Sequence, residues 1–96
     1  MIQGVEYYKR GLIAYSLGNF VFSPGSDKGR DSMVLRVTLS PSGVSKVTAV
    51  PCYISGGKPR VQGGASARRI IRIMQRTSRA RGTHVTRSGS IARFKP

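Results

Sequence analysis

Hydrophobic and polar residues alternate along most of this chain, as they do in strands with one buried face. Residues 5–8 and 12–16 are rich in Val, Ile and Tyr and flank a Lys-Arg-Gly sequence, which predicts a β-hairpin. Residues 20–22, Phe-Val-Phe, are expected to continue as a strand. Residues 23–30 contain only turn-forming and charged residues, so an exposed loop follows there.

A second hairpin is predicted by residues 33–39 and 44–50, which alternate on either side of Ser-Pro-Ser-Gly. One face of its first strand carries Met33, Leu35, Val37 and Leu39. Pro51 is expected to interrupt the second strand because proline cannot donate to a ladder of hydrogen bonds. Residues 52–54 should then resume as an edge strand.

Residues 67–79 have the period of an amphipathic helix, with Ser66 as its N-cap and Gly82 just beyond its end. Its apolar stripe is Ala67, Ile70, Ile71, Met74 and Thr77, and its other side is lined by Arg68, Arg72, Arg76 and Arg79. Such a helix can pack against a sheet and still expose its charge.

The remaining segments are polar and rich in glycine. Residues 55–64 indicate a connection bearing Lys58 and Arg60; the Gly-Gly pairs lack the Gly-Lys-Ser/Thr sequence of a phosphate-binding loop. From residue 83 onward a short final hairpin is indicated, with its turn at residues 87–90.

The predicted fold class is therefore α+β, with two or three β-hairpins and one C-terminal amphipathic helix. Residues 1–64 form a β-rich segment, residues 65–81 the basic helix, and residues 82–96 a C-terminal hairpin or tail. A chain of 96 residues builds one small core.

Charge adds a second property, since 17 Lys and Arg residues against three Asp and Glu give a formal charge of +14. Such an excess favours an anionic partner: nucleic acid, anionic lipid, an acidic polymer or an acidic remainder of a larger protein. One hypothesis is a small basic nucleic-acid-binding module. The helix arginines would contact the phosphates, and the binding surface would be extended by Lys58, Arg60, Arg81, Arg87 and Arg93. No recognised nucleic-acid-binding motif is present, however, and the aromatic residues cluster in residues 7–22.

Adhesion of the basic helix to an anionic membrane is a third hypothesis, although its apolar face lacks bulky aromatic residues. The sequence contains no apolar stretch long enough to span a bilayer and no signal-peptide pattern.

Cys52 is the single cysteine and is interpreted as a small buried hydrophobe rather than a reactive thiol. His84 stands without a nearby acid or hydroxyl nucleophile, so no catalytic triad is indicated.

The most specific pattern is Gln-Gly-Val-Glu at residues 3–6, followed by Leu-Ile-Ala-Tyr-Ser-Leu-Gly-Asn-Phe at residues 12–20. It resembles the C-terminal part of the capsule-synthesis, or poly-γ-glutamate biosynthesis, protein family (CapA-like), a branch of the calcineurin-like metallophosphatase superfamily. The resemblance is looser beyond residue 22. There it rests on Arg-Asp-Ser-Met, Pro-Cys-Tyr-Ile, the basic helix and the Gly-Thr that follows it.

The resemblance implies that the chain is the C-terminal part of a metallophosphatase-like α/β/β/α sandwich. Full-length relatives would hold two divalent metal ions through Gly-His-x-x-His, Asp-x-His and Asn-His motifs, which are absent from these 96 residues. The chain is thus expected to bind no cofactor and to be inactive alone. It would be a truncated product, the result of a misassigned start, or a piece that completes a larger fold. Its partner would be the missing N-terminal part of the same fold or a homologous chain.

By the same resemblance, Glu6, Tyr8, Ser16 and Asn19 would lie near substrate or support the metal ligands. Alternatively, Glu6 is an exposed hairpin charge, Tyr8 a packed aromatic, and Asn19 a residue that fixes its own turn. Full-length relatives are often associated with the cell envelope, but nothing in the sequence indicates where this chain itself resides.

Overall fold

The computed structural model describes residues 2–17 and 30–96. The elements in chain order are β1 (Val5–Tyr8), β2 (Gly11–Ala14), β3 (Asp31–Ser40), β4 (Gly43–Ser55), β5 (Lys58–Val61), α1 (Gly64–Arg79), β6 (His84–Ser88) and β7 (Ile91–Lys95). The α+β class, with hairpins and a C-terminal amphipathic helix, is confirmed. Asn19 and the predicted strand and loop at residues 20–22 and 23–29 lie outside the described residues.

The first predicted hairpin is confirmed, with β1 and β2 paired antiparallel around a two-residue turn. Lys9 and Arg10 occupy this turn with φ angles of 46° and 67°. Positive φ at both central positions is the geometry of a type I′ turn, whose twist matches that of the strands. The left-handed conformation costs a non-glycine residue about 1–2 kcal/mol. Strand pairing must therefore hold this turn in place.

A five-stranded sheet contains the second predicted hairpin, in the order β3-β4-β7-β6, with β5 also paired to β4. The final predicted hairpin, β6 and β7, is confirmed too, and Gly89 in its turn has a φ of 61°. All of these pairings are antiparallel. Short turns join the hairpin partners β3–β4, β4–β5 and β6–β7, whereas β4 and β7 pair across the helix that separates them in sequence.

The expected interruption at Pro51 is wrong, since β4 runs through it without a break. Pro51 lies opposite Met33 of β3, while its carbonyl accepts a hydrogen bond of 2.9 Å from Gln62 N–H on the side of β5. The backbone groups of one strand residue point to the same side, so the missing N–H removes no bond to β3. Residues 52–54 consequently lie between β3 and β5 and do not form an edge strand.

The glycine-rich connection predicted at residues 55–64 is also wrong in part, because it contains β5. Gly56 and Gly57, with φ of 61° and 73°, form a second two-residue turn from β4 into β5. The glycines thus act as punctuation, as predicted, but the polar strand after them was missed.

Helix α1 starts earlier than predicted, with Gly63 at its N-cap. Ala67 N–H donates to the Gly63 carbonyl (3.3 Å), which places Ser66 inside the first turn, so its predicted capping role is wrong. The predicted stop is confirmed: Thr83 N–H donates to the Ser78 carbonyl and Gly82 N–H to the Arg79 carbonyl, both at 3.0 Å. With Gly82 at a φ of 75°, these bonds make a Schellman motif.

The core lies between α1, hairpin β1–β2 and the inner face of the sheet. Its buried residues are Ile2, Val5, Met33, Val47, Ala49, Ile70, Ile71, Met74, Ala92 and Phe94. The predicted helix stripe is confirmed except at its end, where Ser78 is buried and Thr77 only half-buried. Thr77 instead donates its hydroxyl to the Ile73 carbonyl (2.7 Å).

The apolar face predicted for the second hairpin is buried only in its first half. Met33 is buried and Leu35 half-buried, whereas Val37 and Leu39 are exposed. A bulge between Thr38 and Leu39 shifts the register there. Most contacts of α1 with the sheet fall on β4, β6 and β7, and the Arg69–Asp31 ion pair joins α1 to the start of β3, so the far end of β3 lies away from the helix.

Candidate functional site

Hairpin β1–β2 carries the residues that the family resemblance singles out, and its two faces differ. Val5 is fully buried and Tyr7 half-buried against the core. Glu6 alternates with them and therefore points to the other face, as does Tyr8, which is 54% exposed with the Lys9 ammonium 5.3 Å from its ring centre. Tyr8 is not the packed aromatic of the alternative interpretation.

Glu6 has a specific partner, since Tyr15 donates its hydroxyl to Glu6 Oε1. The Arg81 guanidinium lies 4.0 Å from the centre of the Tyr15 ring. The hydrogen bond to the carboxylate is the main cause of a raised pKa at Tyr15. An acid, a phenol and a guanidinium therefore form one exposed row across the hairpin and the end of α1.

Ser16 is half-buried, and its carbonyl accepts a hydrogen bond of 3.0 Å from Gln3 N–H. This bond and the bridge between Ile2 and Leu17 extend the pairing of the hairpin beyond Ala14. Tyr15 was not predicted as a site residue, and Arg81 was predicted only as part of the phosphate-binding footprint of the nucleic-acid hypothesis. The signal for Tyr15 was its place inside the Leu-Ile-Ala-Tyr-Ser run, while the contact of Arg81 depends on the fold.

Three contacts position the hairpin. Val5 N–H donates to the buried Ser78 hydroxyl of α1 (3.1 Å), and Tyr7 donates its hydroxyl to the Phe94 carbonyl of β7 (2.9 Å). At Gly4 the backbone approaches α1 so closely that an added Cβ would lie 2.3 Å from the Thr77 carbonyl oxygen. Burial also raises the pKa of the Tyr7 phenol. The exposed row on the outer face therefore rests on a tightly packed inner face.

The arginines predicted for the outer side of the helix, Arg68, Arg72, Arg76 and Arg79, are all exposed. Arg69 differs, because it forms an ion pair of 2.6 Å with the buried Asp31 and lies 5.7 Å from the ring centre of Tyr53. Anion binding by the exposed four stays a prediction. No helix in the described part of the chain is long and apolar enough to cross a membrane.

The acids and the histidine of the described ranges, Glu6, Asp31 and His84, are the candidate metal ligands. Glu6 is engaged by Tyr15, Asp31 by Arg69, and His84 is exposed on β6. Within residues 2–17 and 30–96, no three His, Cys, Asp or Glu side chains come together as a ligand set. The side chains of these two ranges do not by themselves form the ligand set of a two-metal centre.

Cys52 is buried and free. Burial raises the pKa of its thiol, which favours the unreactive protonated form. The interpretation of Cys52 as a small buried hydrophobe is thereby supported.

No protein-family model matches the chain. Over 60 residues it is 38% identical to the capsule biosynthesis protein CapA of Bacillus anthracis, a match that covers 62% of this chain and 15% of that protein. Over this segment the chain is similar to CapA. A second match, to the PGA biosynthesis protein CapA of Bacillus subtilis, is 34% identical over 59 residues and covers 62% of this chain and 16% of that protein. The chain thus spans about one-sixth of the length of these relatives.

Proposed function

We propose that this chain is the C-terminal, β-rich segment of a CapA-type protein of capsule or poly-γ-glutamate biosynthesis, and that it is not catalytic alone. The observation that carries the proposal is the local match, at 38% identity, to a segment that makes up 15% of a capsule biosynthesis protein. The metallophosphatase chemistry of such a protein would depend on divalent metal ions held by residues upstream of this segment.

The outer edge of β3, as far as the described residues show it, supports a role inside a larger fold. β3 pairs with β4 on one side; on its other side, among the described residues, it is bound by the Leu17 carbonyl, which accepts from Met33 N–H at 3.1 Å. Val37 is 41% exposed and Leu39 73% exposed beyond that point. An open strand edge with apolar side chains is suited to pairing with another strand. We assign that strand to the missing N-terminal part of the same fold.

We also propose that the exposed row on hairpin β1–β2 lies near the reaction centre of the complete protein. Glu6 is held by Tyr15, so its carboxylate is oriented before any ligand arrives. Such a group can bind a substrate hydroxyl or hold a histidine ligand in its correct tautomer. By resemblance the same role extends to Tyr8, Ser16 and Asn19.

A chimera tests the segment's identity. The aligned segment of the Bacillus subtilis PGA biosynthesis protein CapA is replaced by that of this chain, and polymer production is measured in cells lacking their own CapA. Production well above that of a chimera carrying a scrambled segment is expected. Equal production by the two chimeras, at equal protein levels, would show that the similarity does not reflect a shared role.

Inactivity of the isolated chain has its own assay. The purified 96-residue chain is incubated with Mn²⁺ or Zn²⁺ and a chromogenic phosphodiester, with a complete CapA relative assayed in parallel. No turnover above that of free metal is expected. Saturable hydrolysis that is lost in a Glu6→Gln variant would contradict the proposal that the catalytic ligands lie upstream.

A further inference from the structure

One end of the sheet holds a cleft between β4 and β7. The two strands pair through only three residue pairs, Val47 with Phe94, Thr48 with Arg93, and Ala49 with Ala92. β4 nevertheless begins at Gly43 and β7 continues to Lys95. Where the pairing stops, a cavity of about 520 Å³ opens, and the β1–β2 turn closes its other side with Arg10.

The register explains why the strands separate. One further step along the antiparallel ladder would place Lys46 directly opposite Lys95. Like charges at opposed positions destabilise a strand pair. Arg93 lies two residues before Lys95 and therefore on the same face of the sheet. Three cations consequently converge at the point where the pairing is lost.

None of these cations is neutralised by the described residues. Lys46, Arg93 and Lys95 are exposed, and the ion pair found within residues 2–17 and 30–96 joins Arg69 to Asp31. Arg10 lines the cleft, and its backbone carbonyl accepts a hydrogen bond of 2.9 Å from Val44 N–H, which fixes the β1–β2 turn against β4. An anion bound here would relieve the repulsion and gain several charge-assisted hydrogen bonds.

We propose that this cleft binds a multivalent oxyanion, a small ligand with clustered phosphate or carboxylate groups. Lys46, Arg93 and Lys95 supply the charge on the sheet, and Arg10 belongs to the β1–β2 turn that lines the same cavity. The aromatic residues of the cleft offer no stacking surface, since Phe94 is 4% exposed and Tyr7 is half-buried with its hydroxyl bonded. The site therefore favours a ligand recognised by its charge over a nucleic acid recognised through its bases.

Calorimetric titration at about 0.15 M ionic strength, where exposed charges are screened beyond about 8 Å, tests the proposal on the 96-residue chain, with inorganic tripolyphosphate and citrate as the phosphate and carboxylate probes. Saturable binding of at least one of them is expected, and the tighter probe identifies the chemistry of the ligand. The triple variant Lys46→Gln, Arg93→Gln, Lys95→Gln should bind that probe at least about tenfold more weakly, because it removes the three charged donors that the sheet offers to the anion.

A charge-matched control separates a built site from general attraction. The variant Arg68→Gln, Arg72→Gln, Arg76→Gln changes exposed residues and also lowers the formal charge of +14 by three. It should lose less than about threefold in affinity, because long-range attraction between exposed charges is largely screened. Equal losses in the two variants would overturn the proposal, as would no saturable binding to the unmodified chain.

Amide NMR shifts locate the ligand. The largest changes on titration should fall on residues 44–47 and 93–95, and changes confined to α1 would overturn the assignment. Tighter binding of oligothymidylate than of tripolyphosphate, with equal losses in both triple variants, would indicate a nucleic-acid surface and would equally refute the cleft.

Discussion

Replacing Gly4 by alanine should test whether the hairpin is locked to the helix as the contacts indicate. The new Cβ would lie 2.3 Å from the Thr77 carbonyl oxygen and 2.8 Å from its carbon. Cβ atoms essentially never approach other atoms closer than 3.0 Å, and here the obstacle is backbone. Either the hairpin or the helix must therefore move by at least about 0.7 Å.

That displacement reaches the adjacent hydrogen bond. Val5 N–H lies 3.1 Å from the Ser78 hydroxyl, and both residues are fully buried. A shift of this size takes the pair beyond hydrogen-bond distance and leaves a buried donor unpaired. Overpacking costs about 1–3 kcal/mol and the unpaired donor about 1–3 kcal/mol. The lower entropy of the unfolded alanine chain offsets about 0.4–1 kcal/mol of this loss.

The net loss should be about 3 kcal/mol, out of a total of about 5–14 kcal/mol for a domain of this size. Urea denaturation followed by circular dichroism would measure it, and the melting temperature should fall by about 12–24 °C. Hydrogen exchange at the Val5 amide reports the local bond directly. Gly63→Ala is the control, because its Cβ would meet Ser90 Oγ at an ordinary 3.7 Å. It should cost at most about 1 kcal/mol as an N-cap change.

An unfolding free energy of Gly4→Ala within about 0.5 kcal/mol of the unmodified chain, the scatter expected of a neutral surface substitution, would refute the lock between hairpin and helix. Unchanged protection of the Val5 amide while global stability falls would refute it equally. In that case the close approach to Thr77 would not control the bond to Ser78.

Three further substitutions test other contacts. Arg69→Ala leaves the Asp31 carboxylate buried without its partner, and it should lower the unfolding free energy by about 1–3 kcal/mol, measured by urea denaturation; an unchanged value would mean that the pair is neutral. Lys9→Gly relieves a left-handed backbone and should stabilise the hairpin by about 0.5–1 kcal/mol by thermal melting, whereas a loss would contradict the strain. Glu6→Gln should lower the raised pKa of Tyr15 towards 10.0, measured by phenolate absorbance. Because the native contact favours the neutral phenol, the stabilisation that this contact provides is complete below pH 10 and is lost as the pH rises above it.

The hairpins were predictable because their information is local. Alternation sets the buried face, and short glycine- or charge-containing turns set the pairing. β5 escaped prediction because Lys-Pro-Arg-Val has no apolar alternation; it is a strand because β4 offers it partners. The expected interruption at Pro51 was wrong because the effect of a proline in a strand depends on the side to which its missing N–H would point.

The site was predictable only where a motif marked it. Glu6 was identified by resemblance, but its partnership with Tyr15 and the stacking of Arg81 arise from the folded chain. Ser78 was passed over because a serine at the edge of a helical stripe is usually solvated. Its role depends on the Val5 N–H, 73 residues away in sequence.

The net charge could be read from the sequence, but the positions of the individual cations depend on the fold. A formal charge of +14 indicates an anionic partner but assigns no residue to it. In the fold, Arg69 forms an ion pair with Asp31, while Arg68 and Arg72 lie on the exposed face of α1. Lys46 and Lys95, which no motif marks, would lie opposite each other one step beyond the last β4–β7 pair, where like charges disfavour pairing. Cations forced together by register, rather than those most numerous along the chain, are therefore where an anion gains most by binding.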